Sequence, residues 1–289
     1  MIICFKQENY NIGYKRRIGD MEEKIQLWET ACTPLYDESK NQPEPYITPF
    51  ICKGAKTCMV ICPGGGYGAL AEHEGAPIGR WLNENGITAF VVNYRVKPYM
   101  YPCPQLDVQR AVRVVRSMCG KYGYRSDRIG IMGSSAGGHA ACSEALLYGS
   151  FGFEEDELDK ISARPDFMLL CYSVLDMGEY AHVGSRESLL GANPPEESVK
   201  RMSLFDKVTP DAPPTFLWHT ANDAAVPVEN SLLMAKALSK NKVPFALHCF
   251  ENGPHGLGLS ENNADVAQWK TLFISWLRHT GVEHDMPCN

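Results

Sequence analysis

The sequence predicts an α/β fold in which a mostly parallel sheet is flanked by helices. From Thr57 onward, short apolar runs alternate with longer segments of helical periodicity, which is typical of such a sheet. Hydrophobic residues make up 44% of the 289 residues and charged residues 21%, as in ordinary globular proteins. No linker rich in Pro, Gly or Ser divides the chain, so we expect one large domain over residues 21–289, preceded by a polar extension over residues 1–20.

Eight short apolar runs, rich in Val, Ile, Leu, Phe or Cys, predict the strands. They lie at residues 24–28, 47–52, 58–62, 88–93, 128–132, 167–173, 215–219 and 245–250. The first two runs are separated by a polar region that contains Pro, which favours an antiparallel edge on the sheet. The later runs alternate with helical patterns, as parallel strands must because they need crossover connections.

The clearest helix spans residues 105–119, where apolar residues recur at helical spacing and indicate a face turned toward the core. Further helical patterns lie at residues 77–85, 136–148, 228–240 and 264–278. The segment 177–207 departs from this alternation, because it contains an Asn-Pro-Pro sequence followed by charged residues and is too long for an ordinary connection. We expect it to form a small lid over the active site.

Composition excludes several classes of partner. A net charge of −6 provides no positive field for phosphates, so nucleic acid is not expected to bind. The 11 cysteines are scattered without a Cys-x-x-Cys pair, which indicates reduced thiols in the core of a cytoplasmic protein. No run approaches the about 20 apolar residues that span a membrane, and the apolar start is too short for a signal peptide. A homo-oligomer is compatible with the sequence.

The strongest chemical motif surrounds Ser135. Residues 133–137 read Gly-Ser-Ser-Ala-Gly and match the pattern G-x-S-x-G, directly after a predicted strand and directly before a predicted helix. This context matters because the sharp turn from strand to helix exposes the central hydroxyl, and small neighbours keep the turn free of clashes. We therefore predict Ser135 as a nucleophile and interpret Ser134 as a turn residue.

A serine nucleophile needs a base, and the base needs a group that orients it. In proteins with this nucleophile turn, the partners follow in the order Ser, acid, His. Asp223 lies in a loop between a predicted strand and the next helix, and we favour it as the acid over Asp176, which follows an earlier strand. His255 lies in an Asn-Gly-Pro-His-Gly loop after the last predicted strand, so we predict it as the general base.

Backbone donors for the developing oxyanion are the third requirement. Residues 63–67 read Pro-Gly-Gly-Gly-Tyr after the third predicted strand, and the N–H groups of Gly65, Gly66 and Ala136 are the predicted donors. A phosphate loop is the competing interpretation, but no Gly-Lys-Ser/Thr follows and no dinucleotide-binding spacing is present. No cluster of His, Asp or Glu has the spacing of metal ligands, so we expect neither cofactor nor metal.

Several motifs together resemble the α/β-hydrolase esterases that are grouped with acetylxylan and feruloyl esterases. The motifs are residues 63–67, Asn-Tyr-Arg at 93–95, Tyr-Pro at 101–102 with Asp107 and Arg110-Ala111, residues 133–139, and the loops that hold Asp223 and His255. The similarity covers residues 24–278. It implies an α/β-hydrolase fold, with His139 in a structural position. We separately predict that Tyr67, in the donor loop, contacts the substrate. Pro63 stands where many lipase relatives carry His, which disfavours the lipase-like branch.

The resemblance and the site residues together predict a serine hydrolase that cleaves short acyl esters, with acetyl esters of carbohydrates as the implied substrates. The expected partners are therefore small-molecule or oligosaccharide esters. Two alternatives stay open: a small-peptide hydrolase of the oligopeptidase type, and a non-catalytic binding protein on a hydrolase scaffold. No propeller-sized domain precedes the motifs, which disfavours the first, and a residue for each catalytic role disfavours the second.

Overall fold

The computed structural model describes residues 24–29, 32–151 and 156–280. The polar extension predicted at residues 1–20 lies outside the described residues. Eight strands form one sheet in the order β1-β2-β4-β3-β5-β6-β7-β8. The strands are β1 (Ile25–Gln26), β2 (Tyr46–Phe50), β3 (Cys58–Cys62), β4 (Thr88–Asn93), β5 (Ile129–Ser134), β6 (Phe167–Cys171), β7 (Thr215–Thr220) and β8 (Phe245–Phe250).

The predicted division of the sheet is confirmed. β1 and β2 form an antiparallel edge, and β3 to β8 pair in parallel, so their carboxyl ends share one side of the molecule. This arrangement brings the loops that follow β3, β5, β7 and β8 to the same side, where ligands bind in open α/β sheets.

Helices cover both faces of the sheet. They are α1 (Ala76–Glu84), α2 (Cys103–Ser117), α3 (Cys119–Tyr122), α4 (Ala136–Leu147), α5 (Val183–Leu190), α6 (Glu196–Met202), α7 (Glu229–Lys240) and α8 (Trp269–His279). Alternate residues of β3 belong to different apolar clusters: Val60 shares one with residues of α2, α4 and α7, and Ile61 shares the other with residues of α1 and α8. Both side chains are fully buried, and each such burial contributes about 1.5 to 3 kcal/mol to folding.

The segment between β6 and β7 is a helical insertion. The predicted segment 177–207 contains α5 and α6, neither of which was predicted from the sequence, and a 3-10 helix over Leu204–Lys207. The Tyr101 N–H donates to the Leu189 carbonyl oxygen at 2.9 Å, which fastens α5 to the loop before α2. The insertion is therefore packed onto the body of the protein.

Three indole rings form a tryptophan cluster on the α8 face of the sheet. Trp269 lies between the other two, with ring centroids 5.0 Å from Trp81 and 5.4 Å from Trp218. Trp218 and Trp269 are fully buried. This cluster extends the apolar core toward the carboxyl ends of the parallel strands, because Trp218 lies close to the carboxyl end of β7.

All nine cysteines among the described residues are free thiols. Burial raises the pKa of the thiols of Cys62, Cys142 and Cys171, which keeps them protonated and unreactive. Within the described ranges, none of the helices combines the length and the apolar character needed to cross a membrane.

Candidate active site

Ser135 lies in a tight turn between β5 and α4. β5 ends at Ser134 and α4 begins at Ala136, so a single residue connects the strand to the helix. The backbone of Ser135 has φ +54° and ψ −124°, a conformation that residues other than Gly rarely adopt. The strained turn is the feature that the G-x-S-x-G motif predicts.

Two glycines allow this turn because backbone segments touch at their positions. A Cβ atom on Gly133 would lie 2.1 Å from the Gly137 carbonyl oxygen, and a Cβ atom on Gly137 would lie 2.1 Å from the Cys62 carbonyl oxygen. No side chain fits at either distance. The outer glycines of the motif therefore let the start of α4 pass directly against β3 and β5.

Three loops bring the predicted nucleophile, base and acid into one hydrogen-bonded chain. The Ser135 Oγ atom lies 2.8 Å from His255 Nε2, and His255 Nδ1 lies 2.7 Å from Asp223 Oδ2. Asp223 follows β7 and His255 follows β8, at the carboxyl ends of neighbouring strands. Ser135 and Asp223 are buried, and His255 is partly exposed. The geometry fits an imidazole that takes a proton from Ser135 while Asp223 fixes its tautomer.

Asp223 is held as a carboxylate by its surroundings. Its Oδ1 atom accepts the N–H groups of Ala225 and Val226, both at 2.9 Å, and His219 Nε2 lies 3.5 Å from Oδ2. Burial pushes its pKa up, but hydrogen bonds from His219, His255 and the Val226 N–H outweigh this and lower the pKa below its usual value. The group that faces His255 is thus negatively charged at neutral pH.

The loop that contains two of the predicted oxyanion donors approaches Ser135. A Cβ atom on Gly64, the residue before these donors, would lie 3.0 Å from the Ser135 Cβ atom, which places the start of the loop after β3 beside Ser135. Gly65 and Gly66 have φ of +117° and +65°, values that favour glycine. Among the described residues, the N–H groups of Gly65, Gly66 and Ala136 have no protein acceptor. They can therefore donate to a substrate carbonyl oxygen.

Glu74 and Tyr172 tie the donor loop to the histidine loop. Glu74 is 2% exposed, and its carboxylate accepts the Gly64 N–H at 2.8 Å and the Tyr172 hydroxyl at 2.7 Å. The Tyr172 oxygen also accepts the Gly258 N–H at 2.8 Å, three residues beyond His255. The Glu74 carboxylate and the Tyr172 hydroxyl thus link the loop after β3 to the loop that contains His255.

The Tyr172 ring also supports the imidazole directly. Its centroid lies 5.1 Å from that of His255 and 4.8 Å from that of Trp218, in edge-to-face arrangements. Glu74 and Tyr172 were not predicted from the sequence. Neither belongs to a motif with catalytic spacing, so no pattern in the sequence singles them out.

The prediction that Tyr67 contacts substrate is wrong for its side chain. Tyr67 is 0% exposed, and its hydroxyl lies 2.7 Å from His139 Nδ1 and accepts a hydrogen bond from Gln105 at 3.3 Å. Its φ of +57° turns the ring below the donor loop, into the core. His139 is also fully buried, with a pKa lowered to about 4 by burial, and its Nε2 contacts the Met202 carbonyl oxygen at 2.9 Å.

Asp176, the alternative acid, forms its side-chain hydrogen bonds with residues of the insertion. Its carboxylate accepts the N–H groups of Gly178 and Tyr180, both at 2.8 Å, and the Ser203 hydroxyl at 2.9 Å. No contact joins it to His255 in the described part of the chain. Across the same residues, no group of three or more His, Cys, Asp and Glu is arranged to hold a metal ion.

The sheet, the turn at Ser135 and the converging loops define the α/β-hydrolase class. Within this class the chain belongs to the BD-FAE family, whose model matches residues 48–238. The resemblance to acetylxylan and feruloyl esterases is thereby confirmed.

Two curated relatives and one solved structure are especially similar. Endo-1,4-beta-xylanase B of Butyrivibrio fibrisolvens is 39% identical over 235 residues, which are 80% of this chain and 35% of that protein. Acetylxylan esterase of Xylanibacter ruminicola is 31% identical over 210 residues, 69% of this chain and 41% of that protein. The chain thus spans well under half of either relative.

The solved structure is an acetyl ester-xyloside bifunctional hydrolase from Caldicellulosiruptor lactoaceticus. It is 44% identical, with a TM-score of 0.87, and the match covers 90% of this chain and 97% of that one. The fold similarity therefore extends over nearly the whole of that neighbour.

Proposed function

We propose that this chain removes short acyl groups from carbohydrate esters, acetyl esters of xylose-containing sugars above all, through an acyl-enzyme on Ser135. The observation that carries the proposal is the continuous chain of hydrogen bonds from Asp223 through His255 to Ser135, with distances of 2.7 and 2.8 Å. Such a chain activates an otherwise weakly nucleophilic hydroxyl.

The reaction proceeds in two halves. The Ser135 oxygen attacks the ester carbonyl carbon while His255 Nε2 takes the serine proton, and the N–H groups of Gly65, Gly66 and Ala136 stabilise the oxyanion. The C–O bond to the alcohol breaks, and His255 returns the proton to the departing oxygen. Water then repeats these steps on the acyl-enzyme, so the acid leaves and Ser135 is regenerated.

The proposed substrate class rests on the relatives. Relatives over most of this chain include an acetylxylan esterase and an acetyl ester-xyloside hydrolase.

Replacing the nucleophile tests the mechanism. We expect Ser135→Ala to lose hydrolysis of p-nitrophenyl acetate by at least about 10³-fold, because catalysis by the hydroxyl is removed while the donors stay. Ser134→Ala, one position earlier on β5, is the matched control and retains most of the turnover. Steady-state rates and thermal melts of both variants measure this, and undiminished turnover in Ser135→Ala would contradict the proposal.

The substrate class needs a separate comparison. Rates on p-nitrophenyl esters from acetyl to decanoyl, beside acetylated xylo-oligosaccharides and peptide amides, separate the candidate activities. We expect acetyl to be the preferred acyl group and acetylated xylo-oligosaccharides to be deacetylated. Faster cleavage of peptide amides than of any ester would favour the oligopeptidase alternative.

A further inference from the structure

β8 is the last strand in the order of the sheet, and β7 is the only strand that pairs with it in the described part of the chain. At the start of β8, the Thr215 N–H donates to the Pro244 carbonyl oxygen at 3.0 Å. At its end, the Ala221 N–H donates to the Phe250 carbonyl oxygen at 2.8 Å. Because the backbone groups of successive strand residues point to opposite edges, the even-numbered residues of β8 face β7 and the odd-numbered residues face outward.

The outward-facing backbone groups belong to Phe245, Leu247 and Cys249. Within the described ranges, their N–H and C=O groups have no hydrogen-bond partner. Soluble proteins usually protect such an edge with charged residues, a proline or a bulge, because an unprotected edge pairs with another strand. β8 reads Phe-Ala-Leu-His-Cys-Phe, without Pro, Lys, Arg, Asp or Glu, and its register with β7 is continuous. The edge therefore has the features of a strand that pairs further.

The side chains of the same three residues are apolar and lie on one face of β8, because side chains alternate across a strand. Phe245 is 37% exposed, although Phe is among the residue types that are most often buried, and the Cys249 thiol is exposed. Leu247 packs against the apolar cluster that residues of α7 also join. A strand added to this edge would cover Phe245 together with the unpaired backbone groups.

The edge is complementary to itself. In a second copy that lies antiparallel, with a two-fold axis at Leu247, the two Leu247 residues are opposite each other and Phe245 is opposite Cys249 of the second copy. Each outward-facing residue then exchanges both backbone hydrogen bonds with the residue opposite, as in the hydrogen-bonded pairs of an antiparallel ladder. A register displaced by two residues would leave one outward-facing residue of each copy without a partner in the strand.

Two charged residues beyond the ends of β8 support the same register. Lys242 and Glu251 are both exposed, and neither side chain has an ion-pair partner among the residues that the structure describes. With the axis at Leu247, residue 243 is opposite Glu251 of the second copy, so Lys242 lies one residue from that carboxylate along the strand. The two-fold symmetry places these opposite charges near each other at both ends of the paired edge.

We infer that the outer edge of β8 is an interface for a second copy of this chain, which pairs antiparallel about a two-fold axis at Leu247. The two eight-stranded sheets then continue as one sheet. Both copies use the same edge, so the assembly is closed at two copies. The interface lies outside the candidate active site, and the inference does not depend on the proposed function.

A proline on the outward-facing side of β8 tests the backbone pairing. Cys249→Pro removes an N–H group that does not bond to β7, and the preceding residue, His248, is already extended as a following Pro requires. Cys249→Ser keeps the N–H group and is the matched control. By sedimentation velocity, we expect dimers of the wild type and of Cys249→Ser. We expect Cys249→Pro to raise the dissociation constant of the dimer at least about tenfold, because each copy loses a hydrogen bond to the other.

An exchange of charges tests the register, and it decides the question even where thermal melts show that Cys249→Pro does not fold. Glu251→Lys places like charges near each other at both ends of the edge, so we expect the dissociation constant to rise about three- to tenfold. Adding Lys242→Glu to Glu251→Lys restores opposite charges and should return the dissociation constant to within about twofold of the wild-type value.

Three results would overturn the inference. They are a wild-type monomer at protein concentrations up to about 100 μM, where even a weak specific dimer is populated, a dimer that folded Cys249→Pro does not weaken, and a double charge variant that does not recover. None of them bears on ester hydrolysis, because activity on p-nitrophenyl acetate is measured separately.

Discussion

Asp223 and Asp176 are both buried carboxylates that follow strands of the sheet, yet their partners differ. One carboxylate oxygen of Asp223 accepts backbone N–H groups and the other contacts His255. Both carboxylate oxygens of Asp176 accept hydrogen bonds from residues of the insertion. Sequence order favoured Asp223 because its loop joins β7 to the next helix. The distinction at atomic level depends on which backbone groups surround each carboxylate, and a linear pattern does not encode that.

Removing the charge of Asp223 tests its role. We expect Asp223→Asn to lower kcat for p-nitrophenyl acetate by about 10³- to 10⁴-fold, because the amide no longer accepts the His255 Nδ1 proton and stabilises the wrong tautomer. Asp176→Asn is the matched control. It should keep most of its turnover while losing about 1 to 3 kcal/mol of stability, because one buried contact in the insertion becomes unfavourable. The reverse pattern in kinetics and melts would assign the acid to Asp176.

Tyr172 links the residues that sequence reasoning missed. Its hydroxyl connects Glu74, and through it the Gly64 N–H, to the loop that carries His255. We expect Tyr172→Phe to lower kcat about tenfold with little change in KM, because the ring still packs on His255 but the two loops lose their common partner. Steady-state kinetics on p-nitrophenyl acetate measure kcat and KM separately.

A remote tyrosine provides the control for Tyr172→Phe. Tyr124 is also buried, and its hydroxyl donates to the Val115 carbonyl oxygen at 2.5 Å, away from the site. Tyr124→Phe should affect stability alone. In the double variant Tyr172→Phe with Glu74→Gln, the losses should combine less than additively, since both remove one network. Fully additive losses would mean that the two residues act separately.

At the scale of elements, the strands were the most predictable part. β3 and β4 have the predicted bounds, because buried parallel strands are continuous apolar runs between turn residues. β8 also has its predicted bounds, although it is a partly exposed edge strand. The ends of helices were less predictable. α8 begins at Trp269 and not at residue 264, because a 3-10 turn over Val266–Gln268 precedes it.

The helices of the insertion escaped prediction for two different reasons. α5 has eight residues and a histidine cap, so neither its periodicity nor its start is recognisable. α6 has a signal in its charge order: it follows Pro195, begins with Glu196 and Glu197, and has Lys200 and Arg201 in its last turn, which suits a helix. This local signal lies inside a segment whose length and Asn-Pro-Pro sequence predict a lid and not a particular helix.

The crossing of α4 over β3 gives a prediction for folding. We expect Gly137→Ala to destabilise the protein by more than about 3 kcal/mol, because the new methyl group would overlap the backbone of Cys62 and Pro63. Gly120→Ala in α3 is the control: nothing lies within 4 Å of the added carbon, and Ala favours the helix by about 0.5 to 1 kcal/mol. Urea unfolding of both variants measures this, and equal midpoints would contradict the packing argument.

At the scale of the whole molecule, the pH dependence of stability reflects buried carboxyl groups. Glu144 in α4 is 1% exposed, and neither of its oxygens has a hydrogen-bond partner among the residues that the structure describes. Burial raises its pKa well above the usual value, although Arg113 and Arg116 act in the opposite direction. The folded protein therefore retains a proton that the unfolded chain releases above about pH 4.3. The free energy of unfolding therefore decreases as the pH rises above this value, because the unfolded chain releases the proton and the folded protein does not.

Glu144→Gln should remove this loss. The amide stays neutral, so we expect its melting temperature to exceed that of the wild type by a margin that widens from pH 5 to pH 8. Glu157→Gln, at an exposed position, is the control and should show no widening. A constant margin across this range would show that Glu144 does not retain its proton on folding. Asp223, whose pKa is lowered, contributes in the opposite sense, and its contribution is lost only below about pH 4.

The contact of Tyr172 with both His255 and Trp218 joins the imidazole that we propose as the general base to the tryptophan cluster. Indole emission depends on nearby charge and ring geometry. Trp218, which is separated from His255 by the ring of Tyr172, is therefore an intrinsic fluorescent reporter of the state of this imidazole. Each change of charge on the imidazole during a turnover would alter the brightness of Trp218. Rapid-mixing fluorescence could then follow acylation in real time, without a coloured substrate or an attached dye.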